Sequence, residues 1–457
     1  MPRKNPKIIL FGVVLIFFGF FIVKSFVMKK MEHTILCPDC NVVFILTDTL
    51  RADHAQPVFE IINNSKLKDT HTAYNFTSAY SAAPWTLPSM MSVFTGTLPS
   101  THGVVNKYLV EDEAEQIVSV DRTAPHLKLL AELLSESGYT TAAFTGGAGI
   151  EGVYGFKRGF AEYYDAINFA GFSETVPLAN DWLLQHNFSE RLFLVVHGYD
   201  VHGQYEPTGG YDYRYKPEGY EGSLTGSKEE QKELRETVLL EGSLPLTQQD
   251  VQFLQGLYRE KVDKMSEHIQ TLIESIAANM NLKKTIIVVV ADHGEEFMEH
   301  GKIDHGHSLY NELLHVPLIV LLPKGPLVEK ALLARSKIQD IIQIDQQVST
   351  IDIAPTLIDV LGVQNQATQQ YEGASLLPIM LGEDKLNRTV FAETEYRYVT
   401  NLESVQTGDK KKLIKNKLEH SSLLFDVATD PNEAKNLVAD QPKLLTDLEK
   451  VLFSKIK

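Results

Sequence analysis

The chain has 457 residues, 44% of them hydrophobic and 22% charged, a globular composition that can bury a large core. Its formal net charge of −16 excludes a surface built to neutralise nucleic-acid phosphates, since that needs clustered Lys and Arg. Nucleic acid is therefore not expected as a partner.

The first element is apolar. Arg3, Lys4 and Lys7 precede the run Ile8–Val23, and Lys24, Lys29 and Lys30 follow it. A spanning helix needs about 20 apolar residues, and Lys24 can snorkel so that residues 8–28 complete the span. No small-x-small cleavage site follows, so residues 1–30 read as an uncleaved membrane anchor rather than a signal peptide. Everything after it then lies on one side, expected to be periplasmic or extracellular. Residues 31–40 form a linker holding Cys37 and Cys40, the only cysteines. Neither a zinc-site nor a thioredoxin context surrounds them, so they read as a small local disulfide or two idle thiols. N-x-S/T triplets begin at Asn63, Asn75, Asn187 and Asn387 and matter only in a eukaryotic secretory route.

From residue 41 short apolar runs alternate with helical periods, the pattern of an α/β fold. Strands are expected at Val42–Thr47, Thr140–Thr145, Leu192–Val196, Thr285–Ala291 and Pro317–Leu322. Helices are expected at Pro125–Ser137, Thr247–Ala278 and Thr350–Leu361, the first and last closed by Gly138 and Gly362. The predicted outcome is a large, mostly parallel sheet flanked by helices over residues 41–386. The stretch Gln204–Ser243, rich in Gly, Tyr, Pro and charge, reads as a surface insertion near the site. Residues 387–457 change character. Strands at Thr389–Glu393, Lys411–Lys415 and Leu423–Val427 and an amphipathic helix at Lys443–Ser454 predict a small antiparallel subdomain.

Four residues sit where a strand hands over to a loop or helix. Asp48 follows the first apolar run, Asp292 and His293 follow Thr285–Ala291, and Thr86 opens Thr86-Leu87-Pro88-Ser89. Residues at the carboxyl ends of parallel strands meet in one crevice, whatever their separation in the chain. Pro88 suits a first helical turn and Gly96 an end, so Thr86 should lie at a helix N-terminus, where backbone N–H groups favour an anion. The bland alternatives are an N-cap threonine and an Asp-His turn.

Five stretches bear on the choice. They are Asn41 to His54, Ala83 to Ser89 with Phe94-Thr95-Gly96, Ala291 to Glu296, Gly306 to Leu318, and Ile351 to Leu357, with Leu424-Phe425-Asp426 and Asp430 to Leu437 near the end. In this order the chain resembles the sulfatase branch of the alkaline phosphatase superfamily. The likeness departs from that pattern at telling positions. Thr86 stands where the family has a cysteine or serine converted to formylglycine, so no formylglycine is expected. Met90 replaces an arginine, Thr49 an aspartate and His293 an asparagine, and no Lys-x-His is found between Tyr139 and Phe160.

The resemblance implies one divalent metal ion held by Asp48, Asp292 and His293 and touched by Thr86. An imidazole among the ligands shifts the expected ion from calcium, which prefers oxygen, toward zinc or manganese, with calcium left open. The set is similar to that of phosphoethanolamine transferases and lipoteichoic acid synthases, where a threonine attacks. Thr86 is thus the expected nucleophile, with His202 and His307 as further catalytic candidates. His305 is a weaker candidate, and His300 and His315 are expected to be structural. The expected activity is a membrane-anchored hydrolase or transferase for sulfate or phosphate esters. Its anionic substrate is a glycan, a lipid headgroup or a small molecule. The alternative is a catalytically degenerate relative that only binds anionic glycan or lipid headgroups.

Overall fold

The computed structural model describes residues 36–456 apart from 112–113, 187–189, 207–209, 211, 242–245, 326–327, 329–340, 364–370 and 383–387. The expected anchor at residues 8–28, the triplets at Asn187 and Asn387, and the boundary expected at 386/387 lie outside the described residues. Among those described, no helix is long and apolar enough to cross a membrane.

Runs that are apolar at every position become strands buried on both faces. The first, β1 (Asn41–Thr47), is buried throughout and lies mid-sheet. With β2 (His71–Phe76), β3 (Thr140–Phe144), β4 (Glu162–Tyr164), β5 (Leu192–Gly198), β6 (Thr285–Ala291), β7 (Leu318–Pro323) and β8 (Ile341–Ile344), it makes an 8-stranded sheet. The order is β8-β2-β7-β6-β1-β5-β3-β4, and only β7 runs against its neighbours. Side chains alternate across the pleat, so the strands feed two cores. Val42, Phe44 and Leu46 pack with helices α2 (Thr86–Thr95), α3 (Leu130–Glu136) and α7 (Ile353–Leu361). Val43 and Ile45 pack with α1 (Gln56–Asn64), α4 (Phe172–Gln185) and α6 (Gln248–Asn279). Helix α5 (Lys228–Glu241) lines a small pocket through Gln231, Leu234 and Arg235 together with Leu254 of α6.

Against this body packs a four-stranded antiparallel sheet, β9 (Val390–Tyr396), β10 (Thr400–Gln406), β11 (Lys411–Asn416) and β12 (Ser421–Asp426). One face, carrying Val405, Leu413 and Leu424, packs on α8 (Pro442–Lys455) through Leu448 and Leu452. The other packs Ile414 and Phe425 against Tyr80, Leu309 and Leu314 of the body.

Several boundaries differ from the sequence expectation. The helix expected at Pro125–Ser137 begins only at Leu130, because Glu132 Oε2 accepts the Leu129 N–H at 2.9 Å and closes the start there. Strand β5 runs on to Gly198, so His197 lies inside the strand rather than after it. Its imidazole is buried, with Nδ1 accepting the Gly146 N–H at 3.3 Å. The insertion at Gln204–Ser243 contains the helix α5, whose Gln231 and Val238 are buried. Strand β10, with the polar sequence TNLESVQ, was not expected; its pairing with both β9 and β11 outweighs its weak apolar signal. Cys37 and Cys40 form a disulfide.

Candidate active site

Register brings the chemistry together. Thr47 of β1 pairs with Ala291 of β6, so the next residues, Asp48 and Asp292, leave the sheet side by side. Asp292 Oδ1 accepts the backbone N–H of Thr49 at 3.1 Å and of His293 at 2.8 Å, which fixes the carboxylate. Thr49 takes a left-handed conformation, φ 51°, to present that N–H. On the other side Ser89, one turn into α2, donates to Asp292 O at 2.7 Å and anchors the helix start.

Thr86 is the first residue of α2, and its Oγ1 donates to Asp48 Oδ1 at 2.9 Å. His293 Nε2 lies 3.4 Å from that oxygen and 3.4 Å from Asp292 Oδ2. His293 Nδ1 donates to Gly294 O at 2.8 Å, so the Nε2 lone pair faces the hydroxyl and the carboxylates. Asp48, Asp292 and His293 are fully buried, and among the described residues the oxygens Asp48 Oδ2 and Asp292 Oδ2 have no hydrogen-bond partner. Burial, with the neighbouring carboxylate adding for Asp48, raises both acids, Asp292 to about 7. Burial lowers His293. Two orphaned buried carboxylate oxygens and an oriented imidazole lone pair fit a divalent cation, and the three ligand atoms lie within 4.8 Å of one another.

A second layer closes round this centre. Tyr199, just past β5, accepts the Gly149 N–H at 2.9 Å through its phenol oxygen. Gly149 leaves no room for a side chain, since a Cβ there would meet Thr86 Cβ at 2.8 Å. His305 follows a short ribbon, Glu296–Phe297 paired with Ile303–Asp304, and its ring lies 4.5 Å from that of His293 and 4.9 Å from that of His202. His305 Nδ1 sits 3.0 Å from Glu295 Oε1 and 2.8 Å from Asp304 Oδ1, while Arg235 pairs with Asp304. Burial opposes charge on His305, but the two carboxylates outweigh it and raise the imidazole well above its ordinary value. Burial, then the cationic His305, holds His202 down at about 3.

The candidates thus separate. Thr86, His202 and His305 line one cleft of about 460 Å³, together with Trp85, Lys107, Gly149, Tyr199, Arg235 and Arg397. His307 does not line that cleft. Its Nε2 is 2.8 Å from Glu296 Oε2, where it braces the ribbon that carries His305. His300 pairs with Glu312 and stacks on Tyr310, and His315 bonds Thr77 O, as structural histidines do. Arg51, Asp53 and His54 brace the first loop, Arg51 also donating to Glu295 O at 3.0 Å. Sequence reasoning missed Tyr199, Arg235, Lys107 and the Gly149 loop. The clue for Tyr199 was its place at a strand's carboxyl end, and for the loop the run Gly146-Gly147-Ala148-Gly149 after β3.

Such a site sets a hydroxyl at a helix start against two carboxylates and an imidazole above a mostly parallel sheet, an arrangement that could hold a cation beside a candidate nucleophile. Residues 40–363 match the family model "Sulfatase" and residues 298–457 match "N-sulphoglucosamine sulphohydrolase, C-terminal". The chain belongs to the sulfatase family. Among curated relatives it is 29% identical over 231 residues to arylsulfatase K of Gallus gallus, covering 46% of this chain and 38% of that protein. It is 30% identical over 187 residues to the Delta 4,5-hexuronate-2-O-sulfatase of Bacteroides thetaiotaomicron, covering 40% and 36%. The match thus spans well under half of those two relatives. A longer one, 23% identical over 397 residues, covers 78% of this chain and 66% of the N-acetylglucosamine-6-sulfatase of Capra hircus. The fold matches a structure solved in complex with its substrate D-glucosamine-2-N,6-O-disulfate, TM-score 0.68 at 18% identity over 91% of this chain and 97% of that one. It also matches the phosphonate monoester hydrolase of Agrobacterium radiobacter, TM-score 0.65 at 17% identity over 91% and 95%.

Proposed function

We propose that this chain is a metal-dependent hydrolase of sulfate or phosphate esters in which the Thr86 hydroxyl, in place of formylglycine, is the nucleophile. The observation that carries this is the approach of Thr86 Oγ1 to 2.9 Å from Asp48 Oδ1 and 3.4 Å from His293 Nε2. Asp48, Asp292, His293 and Thr86 would hold the divalent ion, zinc or manganese suiting the mixed nitrogen and oxygen donors better than calcium. When bound, the ion supplies charge that favours the alkoxide and offsets the ester oxygens.

The residues of the chain divide the rest of the work. The Thr86 proton already points at Asp48 Oδ1, its acceptor in the site. Attack forms a bond from Oγ1 to phosphorus or sulfur as the bond to the leaving oxygen breaks. With Nδ1 engaged by Asp304 and Glu295, His305 keeps Nε2–H as the donor that protonates that leaving oxygen. Neutral His202 beside it lines the cleft; its Nδ1 donates to Gly203 O, which leaves the Nε2 lone pair to accept a hydrogen bond from a protonated oxygen or the attacking water. Water then cleaves the threonine ester and restores the hydroxyl. Anchoring through residues 8–28 on the periplasmic or extracellular side completes the proposal. The Cys37–Cys40 disulfide supports an oxidising compartment.

The test is turnover of aryl phosphate monoesters, phosphate diesters and aryl sulfates with zinc, manganese and calcium, by wild type and Thr86→Ala. Turnover by wild type that falls about a thousandfold or more in the variant is expected. Equal rates in both proteins would sink the nucleophile, and no turnover by either on any ester would favour a protein that only binds anions.

A further inference from the structure

One wall of the cleft beside Thr86 holds donors that no group among the described residues satisfies. Trp85 and Asn106 are 7% and 4% exposed, yet Trp85 Nε1 and Asn106 Nδ2 are buried without a hydrogen-bond partner. Both residues line the cleft. A buried donor left without an acceptor is destabilising, so two in one wall point to an acceptor supplied from outside. The Asn106 amide is oriented, because its Oδ1 accepts the Arg397 N–H at 3.1 Å and leaves Nδ2 for the cleft.

Two cations complete the wall. Among the described residues, the half-buried Lys107 side chain makes one hydrogen bond, to Ala148 O at 3.5 Å. Burial lowers its pKa; the nearby Glu151 carboxylate raises it and Arg397 lowers it, so Lys107 stands within electrostatic reach of one carboxylate and of the Arg397 guanidinium. The Arg397 guanidinium lies over the Tyr396 ring at 4.9 Å, and that ring meets Trp85 edge-on at 5.3 Å. Arg397 and Tyr398 form the tip of the β9–β10 hairpin with φ of 51° and 60°, a left-handed pair that favours glycine or asparagine. Tyr398 is tied down by a bond from its hydroxyl to Tyr108 O. The strained tip thus delivers one arginine to this wall. Glu115, an exposed side chain, is the one carboxylate lining the cleft among the described residues. Arg235 is already paired with Asp304, as is the imidazolium of His305.

The rim is aromatic. Tyr108, Phe169 and Tyr398 are 45%, 57% and 49% exposed at the mouth, flat faces suited to a sugar ring. Because Trp85 precedes Thr86 in the chain, the donor wall adjoins the nucleophile, within the span of one substituted ring.

We propose that Trp85, Asn106, Lys107 and Arg397 form a second oxyanion subsite, so that the substrate is a saccharide carrying a further carboxylate or sulfate beside the ester that Thr86 attacks. The placement of that ester rests on the reading of Thr86 above; the subsite itself does not need turnover. Binding is therefore measured in a Thr86→Ala background, which cannot consume its ligand. Calorimetric titration compares D-glucosamine 6-sulfate with its 2-N,6-O-disulfate, and D-glucose 2-sulfate with D-glucuronate 2-sulfate. In at least one pair the second anionic group should tighten binding about tenfold or more. Adding Arg397→Gln and Lys107→Gln together should cut that ratio to about twofold or less, with unfolding temperature unchanged because both side chains reach solvent. Arg397→Gln alone, on the exposed tip, should give an intermediate ratio. Equal affinity within both pairs, no binding of any probe, or a ratio that survives the double substitution would overturn the subsite. Failure of Thr86→Ala to abolish turnover would leave these ratios untouched and would count only against the nucleophile.

Discussion

In the mechanism proposed above Thr86 Oγ1 attacks and the His305 ring protonates the departing oxygen, and the two roles can be separated by the leaving group. A general acid contributes about 10²–10⁴-fold when the departing oxygen is basic and little when it is not. His305→Gln should therefore lower kcat by about a hundredfold or more on alkyl esters and by only about threefold on nitroaryl esters. Asp304 and Glu295 hold the imidazolium well above the ordinary histidine range, so the acid limb persists upward in pH. Activity on alkyl esters should stay level through neutrality and fall only on the alkaline side, and the variant should lose that fall. A profile that declines near the ordinary histidine pKa would remove His305 from the acid role. The four residues at the heart of the site, Asp48, Thr86, Asp292 and His293, were legible in the sequence because each stands where an apolar run stops or a helix begins. His305 over His307 was not legible. Two residues apart in a turn, their rings go to Glu295 and Glu296 respectively, a choice made by the ribbon and not by composition.

Loops and strand ends set tolerances that composition hides. Gly149 has an ordinary backbone, yet a Cβ would meet Thr86 Cβ at 2.8 Å and the Tyr199 hydroxyl at 3.1 Å. Gly149→Ala should cut kcat by about ten- to a hundredfold by displacing the hydroxyl, with little change in unfolding temperature. Full activity in that variant would show the contact to be slack. On β9, Glu393 accepts the Ser100 N–H at 3.1 Å and the Ser100 hydroxyl at 2.9 Å, joining the C-terminal sheet to the body. Burial, aided by Glu403, raises it from 4.5 to about 7, so the folded protein binds a proton that the unfolded chain has released. Stability should therefore fall as pH rises from about 5 to about 8, and Glu393→Gln should flatten that slope. Parallel slopes in the two proteins would show Glu393 to be uninvolved. The main strands were legible because each carries a run of consecutive apolar residues, whereas β2 and β10 interleave polar residues and owe their state to their partners. Helix α5, strongly charged and within a Gly- and Tyr-rich stretch, was hidden for the same reason, although it delivers Arg235.

At the scale of the whole molecule, the sheet brings residues more than two hundred positions apart to one edge, and the antiparallel C-terminal sheet reaches over that edge with its hairpin. The overall architecture could be read from the alternation of runs and from the family likeness. How far the C-terminal sheet leans over the cleft could not, because no periodicity encodes the docking of one layer on another. The central claim is that folding places one cation among Asp48, Asp292, His293 and Thr86. Crystals grown with zinc and vanadate, measured at the zinc absorption edge, test it directly. A single strong anomalous peak within bonding distance of those four side chains, with the oxyanion at Thr86 Oγ1, is the expected result. A map with no peak there, or with its main peak at the separate Glu296, His300 and Glu312 group, would contradict it.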